Sequence, residues 1–143
     1  MGMWLINRLR DDIGGISFSE MVDMAKNSDY TELFDVNDKT FFAPKSMKKA
    51  ILDYLQNNGK KAPKNDGDII NSVYHSLAKS YADTYALIEK NTGKTYEEFY
   101  IVGGGAKNEY LNDLTEKYSG KKVIALPIEA TALGNIKIQT EYK

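Results

Sequence analysis

The residues best suited to chemistry lie between Phe99 and Leu111, where Phe99-Tyr-Ile-Val102 runs into Gly103, Gly104 and Gly105 and then into a helical pattern. Glycine has no Cβ, so such a loop can adopt φ > 0 and let a ligand approach the main chain closely. A helix beginning near Lys107 turns unpaired N–H groups and the positive end of its dipole toward that loop, which favours an anion. The predicted chemistry is nucleotide binding, with phosphates carried on Gly103, Gly104 and Gly105. Asn108 stands where a dinucleotide fingerprint needs its third glycine. No acidic residue follows on a second strand at the usual spacing of about 20 residues, so a dinucleotide oxidoreductase is disfavoured. The Asn108 amide both donates and accepts, which suits the edge of a purine. The same strand–turn–helix pattern also arises where a sharp turn needs glycine and nothing binds.

Other chemistry is sparse. Thr92-Gly-Lys-Thr95 resembles the end of a P-loop, but Ile88 occupies the leading glycine position and no strand precedes it. Gly93 reads instead as a left-handed helix stop, with Thr95-x-x-Glu98 as a capping box for a short following turn. His75, the one histidine, lies off the centre of a helical stripe with no motif around it, and reads as a surface or boundary residue rather than a general base. Without cysteine there is no disulfide, thiolate or cysteine-based metal site. No catalytic residue and no metal ligand is assigned.

The 143 residues are enough for one domain with a core. With 19 basic against 20 acidic residues the net charge is −1, which leaves no electrostatic footprint for a nucleic acid or an anionic membrane. Lys60, Lys61 and Lys64 sit among Gly59, Pro63 and Asn65 and read as a solvated loop. No apolar stretch approaches the ~20 residues needed to span a bilayer. The opening residues read as an amphipathic helix rather than a targeting segment, and a cytoplasmic location is expected.

These elements must position the loop. Leu5, Leu9 and Ile13 mark a first helix closed by Gly14 and Gly15. Ser17-x-x-Glu20 caps a second, with Phe18, Met21, Val22 and Ala25 on one face. After an irregular stretch from Tyr30 to Pro44, a third helix runs from about Ser46 to Asn57, with Met47, Ile51 and Leu55 in line. The longest lies between Asp66 and Asn91, marked by Ile70, Val73, Tyr74, Leu77, Tyr81, Tyr85 and Ile88. A strand at Phe99–Val102, a helix from about Asn108 to Tyr118 stopped by Gly120, and a strand from Lys122 to Pro127 then form a βαβ unit with a parallel pair. A last helix starts near Glu129 and carries Ala130, Thr131, Ala132 and Gly134. Two strands make a poor sheet, so exposed apolar surface and self-association are expected, at the edge of Phe99–Val102 and along Val73, Leu77 and Tyr81.

Ile101-Val-Gly-Gly-Gly-Ala-Lys-Asn108 and Leu126-Pro-Ile-Glu-Ala-Thr-Ala-Leu-Gly-Asn-Ile136 together resemble the adenosine motif and closing segment of the sugar kinases with the actin-like ATPase fold, and within them most closely the rhamnulokinases. Gly2-Met-Trp-Leu5, Phe41-Phe-Ala-Pro-Lys-Ser-Met47 and Gly67 to Ala78 add weaker support in the same order. The resemblance implies a helix-rich α/β chain, residues 1–143 forming one partial actin-like ATPase (ribonuclease H-like) domain: the nucleotide-side, C-terminal piece of a two-domain kinase. It implies ATP with Mg²⁺ and a ketose, L-rhamnulose, phosphorylated at its primary hydroxyl. It places Gly104 and Gly105 beside phosphate and ribose, and Asn108 at the adenine. The family's catalytic aspartate belongs to preceding segments, so the chain alone is expected to be inactive. The alternative is a non-catalytic nucleotide-binding or subunit-interaction module.

Overall fold

The computed structural model describes residues 2–126. The closing segment from Pro127, with the helix expected near Glu129, lies outside the described residues.

α1 (Met3–Asp12) buries Leu5, Ile6 and Leu9. The helix stops before Ile13, so Ile6 rather than Ile13 completes its inner face. The capping box of α2 (Phe18–Lys26) forms as the sequence predicts: the Glu20 N–H donates to Ser17 Oγ at 3.1 Å and the Ser17 N–H to Glu20 Oε2 at 2.7 Å. Met21 and Ala25 are buried, whereas Phe18 is turned outward. α3 (Met47–Asn57) is capped by Ser46 and buries Met47, Ile51 and Leu55. Its first turn also receives the Asp12 carboxylate, which accepts from the Lys48 N–H at 2.8 Å and from the Ser46 hydroxyl at 3.0 Å. A negative charge at a helix N-terminus is stabilising there, and these hydrogen bonds hold the Asp12 carboxyl below its ordinary pKa despite the opposing desolvation.

α4 (Asp66–Thr92) is the spine, 27 residues long, capped by Asn65 and ended by Gly93 in the left-handed region. Its apolar stripe, including Ile70, Val73, Tyr74 and Leu77, lies in the core. Its first turns also bury Asp68, Asn71, Ser72 and Ser76, because the chain from Ser28 to Phe34 runs along that side and needs partners for its main chain. Asp68 accepts from the Ser28 hydroxyl at 2.6 Å, Ser72 donates to the Glu32 carbonyl at 2.5 Å, and the Phe34 N–H donates to Ser76 Oγ at 3.1 Å.

β1 (Glu98–Ile101) and β2 (Lys122–Ala125) pair in parallel, Glu98 opposite Lys122 and Ile101 opposite Ala125, with α5 (Glu109–Ser119) between them in sequence. The capping box expected at Thr95-x-x-Glu98 does not form. The chain straightens after Gly93 and Glu98 becomes the first residue of β1. The predicted exposure along α4 also needs correction: Val73 and Leu77 are completely buried, because α2 and α5 pack against this helix. The exposed large apolar residues include Leu87 and Ile88 toward the far end of α4, Tyr100 on β1 and Val102 just after it.

At Gly67 the main chains of α2 and α4 come close together. A Cβ there would lie 2.9 Å from the Met24 carbonyl oxygen and 3.0 Å from Asn65 Oδ1. Gly67→Ala is therefore expected to destabilise the fold by about 1–3 kcal/mol through overpacking, in spite of alanine's better helix propensity. A urea midpoint at or above that of the unchanged protein would contradict this packing.

Candidate nucleotide site

The glycine run does not lead directly into a helix. Gly103 takes φ 87° and ψ −160°, a conformation that requires glycine, and reverses the chain as it leaves β1. Gly104–Lys107 then form a 3₁₀ turn, closed by Ala106 N–H to Gly103 O and Asn108 N–H to Gly105 O, each 3.1 Å. Of the three glycines only Gly103 has positive φ. α5 begins at Glu109, in agreement with the helix expected from about Asn108 to Tyr118 but beyond the start near Lys107 that would aim it at the glycines, and the intervening turn separates its N-terminus from them.

Asn108 caps α5. Its Oδ1 accepts from the Leu111 N–H at 3.0 Å and its Nδ2 donates to the Tyr74 hydroxyl at 3.0 Å. The residue is only 9% exposed, so part of the hydrogen-bonding capacity read as purine recognition already serves the fold. One Nδ2 hydrogen and one Oδ1 lone pair are left beyond these bonds. Tyr110 Oη donates to Asn71 Oδ1 at 2.8 Å, and the Tyr110 ring meets Tyr74 edge-on, centroids 5.4 Å apart. Burial holds both phenols above their ordinary pKa, so both keep their protons.

The turn forms one wall of a cleft of about 680 Å³ with Gly104, Gly105, Asn108 and Tyr110 on its lining. The opposite wall comes from elements that no local motif links to the loop. Met3 and Asn7 come from α1, and Phe18, Val22 and Lys26 from α2. Met3 Cγ lies 3.5 Å from where a Gly105 Cβ would be, whereas a Cβ on Gly104 would meet nothing within 4 Å among the described residues. Two cations, Lys26 and Lys107, border the cleft, and Lys26 Nζ stands 5.7 Å from the centroid of the Tyr110 ring. Size, apolar walls and a few polar groups are the features of a small-molecule site. Phe18 was legible only as a core residue of an amphipathic helix; its outward turn depends on where α2 docks.

His75 is not a surface residue. It is 7% exposed, and Nδ1 shares a 2.8 Å hydrogen bond with the Tyr118 hydroxyl of α5. It does not line the cleft. Desolvation, reinforced by the Lys117 charge, lowers its pKa, because an imidazolium is poorly accommodated where water is excluded.

Residues 1–140 match the C-terminal domain of the FGGY family of carbohydrate kinases. The chain belongs to that family. It is 39% identical over 140 residues to the rhamnulokinase of Halalkalibacterium halodurans and 38% identical over 141 residues to that of Bacillus subtilis. Both alignments take in 97% of the chain but only 30% and 29% of those relatives, so the chain spans less than a third of their length. The activator of the 2-hydroxyisocaproyl-CoA dehydratase from Clostridium difficile, solved with bound ADPNP, shares the fold at a TM-score of 0.53 and 19% identity, covering 98% of this chain and 50% of that one. The architecture is thus a helix-rich α/β arrangement of the actin-like ATPase type, and the resemblance read from the two glycine-containing motifs extends over nearly the whole chain.

In this FGGY domain the His75 environment sets a sign for pH dependence. The folded-state pKa lies below the ordinary value of 6.5, so the unfolded chain takes up the proton first and stability falls as pH drops below about 6.5, levelling off below the folded pKa. Asp12 and Asp68, whose pKa values are lowered from 3.8, act only at more acidic pH. The urea midpoint is expected to fall between pH 7.5 and 5.5, and His75→Gln should remove most of that fall. An equal fall in the variant would assign the effect to other groups.

Proposed function

We propose that the cleft binds ATP and that the chain serves as the nucleotide-side domain of a carbohydrate kinase that phosphorylates L-rhamnulose at its primary hydroxyl to give L-rhamnulose 1-phosphate. The observation that carries this reading is the open glycine turn on the wall of an apolar cleft, in a chain of the FGGY C-terminal domain. Gly104 and Gly105, which line the cleft, would carry the phosphate and ribose side, whereas Gly103 does not line it and would only set the course of the turn. Among the described residues, none beyond its chain neighbours comes within 4 Å of a Gly104 Cβ position, which leaves room for such a group against the main chain. Asn108 would meet the adenine with the amide capacity that Leu111 and Tyr74 leave over. Met3, Phe18, Val22 and Tyr110 offer the base an apolar surface, and Lys26 and Lys107 offset phosphate charge.

Among the described residues no group of three or more His, Asp or Glu side chains is gathered to hold a metal. Mg²⁺ characteristically binds through substrate phosphates with few protein ligands, so in this reading it arrives with the nucleotide and no step here is assigned to it. Transfer also needs an acceptor hydroxyl held in line with the γ-phosphate and a residue to orient or deprotonate it. Asp113 and Glu116 are exposed on α5 and do not line the cleft; Glu109, which does, is an exposed carboxylate in the first turn of α5, where it complements the helix dipole. In this reading the sugar site and the base lie in sequence outside this chain. A nucleotide-binding module without catalysis is the second reading, favoured by Glu109 being the one carboxylate on the cleft lining among the described residues.

Gly104→Val separates ligand from fold, because neither positive φ nor a neighbouring atom among the described residues penalises the side chain. Its stability is expected to change by no more than about 0.5 kcal/mol, while ATP affinity falls at least ~10-fold, about 1.4 kcal/mol. Isothermal titration with ATP checks this, and unchanged affinity would move the phosphates off the turn. The isolated chain with ATP, Mg²⁺ and L-rhamnulose is expected to release ADP no faster than without sugar. Sugar-dependent turnover that disappears on mutating one of its own carboxylates would place the base within the chain.

A further inference from the structure

The glycine turn is held from behind by a side chain outside the proposed site. Asn112, on α5, is 8% exposed and does not line the cleft. Its Nδ2 donates to the carbonyl of Ala106, in the middle of the 3₁₀ turn, at 3.1 Å. Its Oδ1 is buried and has no hydrogen-bond partner among the described residues. Exchanging the two amide atoms would set Oδ1 against the Ala106 oxygen, so the amide orientation is fixed by this contact. Leaving an acceptor buried and unpaired is costly, and an apolar side chain of similar size would avoid the cost. Packing alone therefore does not account for asparagine at 112. The remaining function of the amide is its single donated hydrogen bond to the turn.

We propose that Asn112 is a positioning residue for nucleotide binding: it anchors the Ala106 carbonyl and thereby fixes the course of the turn on which Gly104 and Gly105 line the cleft. The inference rests on the reading of the cleft as an ATP site. Ala106 is itself nearly buried at 8% exposure, and the turn hydrogen bonds on either side of it involve Gly103 and Gly105. Rotation of the peptide that follows Ala106 would expose its carbonyl to other partners and redirect the chain between Gly105 and Asn108. Asn112 opposes that rotation without touching the ligand.

Two variants of the 143-residue chain test the proposal. Asn112→Asp keeps the size but removes the donor and sets a carboxylate oxygen against the carbonyl. Asn112→Leu removes both the donor and the orphan acceptor. In each, the Kd for ATP is expected to rise at least tenfold, and the Gly104 and Gly105 amide resonances of the ligand-free protein are expected to shift. The leucine variant exchanges the orphan Oδ1 for an Ala106 carbonyl without its donor, so its Tm is expected to stay close to that of the unchanged protein, which separates affinity from stability. Leu55→Ala, in the core on α3, serves as the opposite control: its Tm falls while its Kd stays within twofold. Wild-type affinity in the folded leucine variant overturns the proposal, whether or not the resonances move. Should the unchanged chain fail to bind ATP, the reading of the cleft falls with the ligand part of the proposal, and unshifted glycine resonances in both variants would then remove the anchoring of the turn as well.

Discussion

Asn71 is the constraint on which the remaining architecture depends. It is 1% exposed on α4, and its amide is bonded on both sides. Nδ2 donates to the carbonyls of Ser28 and Tyr30 at 3.0 and 3.1 Å, while Oδ1 accepts from the Tyr110 hydroxyl at 2.8 Å. One side chain thus joins the irregular stretch after α2, the spine helix and the first turn of α5. Because a buried amide deprived of its partners is strongly disfavoured, these three segments keep their relative positions together or lose them together.

The consequence reaches the cleft through α5. Tyr74 receives the Asn108 amide and stacks edge-on with Tyr110, and His75 shares a hydrogen bond with Tyr118. Three positions within five residues of α4 therefore set where α5 lies, and α5 carries the glycine turn at its front. The opposite wall, from α1 and α2, is placed by the same core, since Leu5, Leu9, Met21 and Ala25 belong to one apolar cluster with Val73, Leu77 and Leu111. The cleft is a gap between two sets of elements docked on one helix. That is a suitable arrangement for a loop that must present its main chain to a ligand without rearranging.

The electrostatics are local. A chain of net charge −1 has no overall attraction for an anion, but two lysines, Lys26 and Lys107, against one carboxylate, Glu109, leave the cleft lining locally positive. Positioning and charge compensation are what phosphoryl transfer chiefly requires of a protein. In the reading proposed above this chain would supply one side of them, in keeping with a domain that matches less than a third of the length of the rhamnulokinases it resembles.

Sequence alone was sufficient for most of the structure whose cause is local, the Thr95–Glu98 box excepted, since Glu98 is taken into β1. The Ser17–Glu20 box, the stops at Gly93 and Gly120 and the parallel pairing around α5 all follow from residues within a few positions of one another, or from a connection too short for another topology. The glycine turn was legible as a candidate site for the same reason. Tertiary structure decided what depends on docking: that Phe18 faces a cleft instead of the core, that His75 is buried, that Val73 and Leu77 are covered, and that the Asn108 amide is largely engaged by Leu111 and Tyr74. Asn112 had no sequence signal at all, since an asparagine in a helix is ordinarily a solvated residue. Its contact with Ala106 exists only because the 3₁₀ turn folds back over α5, and hydrogen bonds between segments are specified by the packing of the whole chain rather than by the spacing of residues along it.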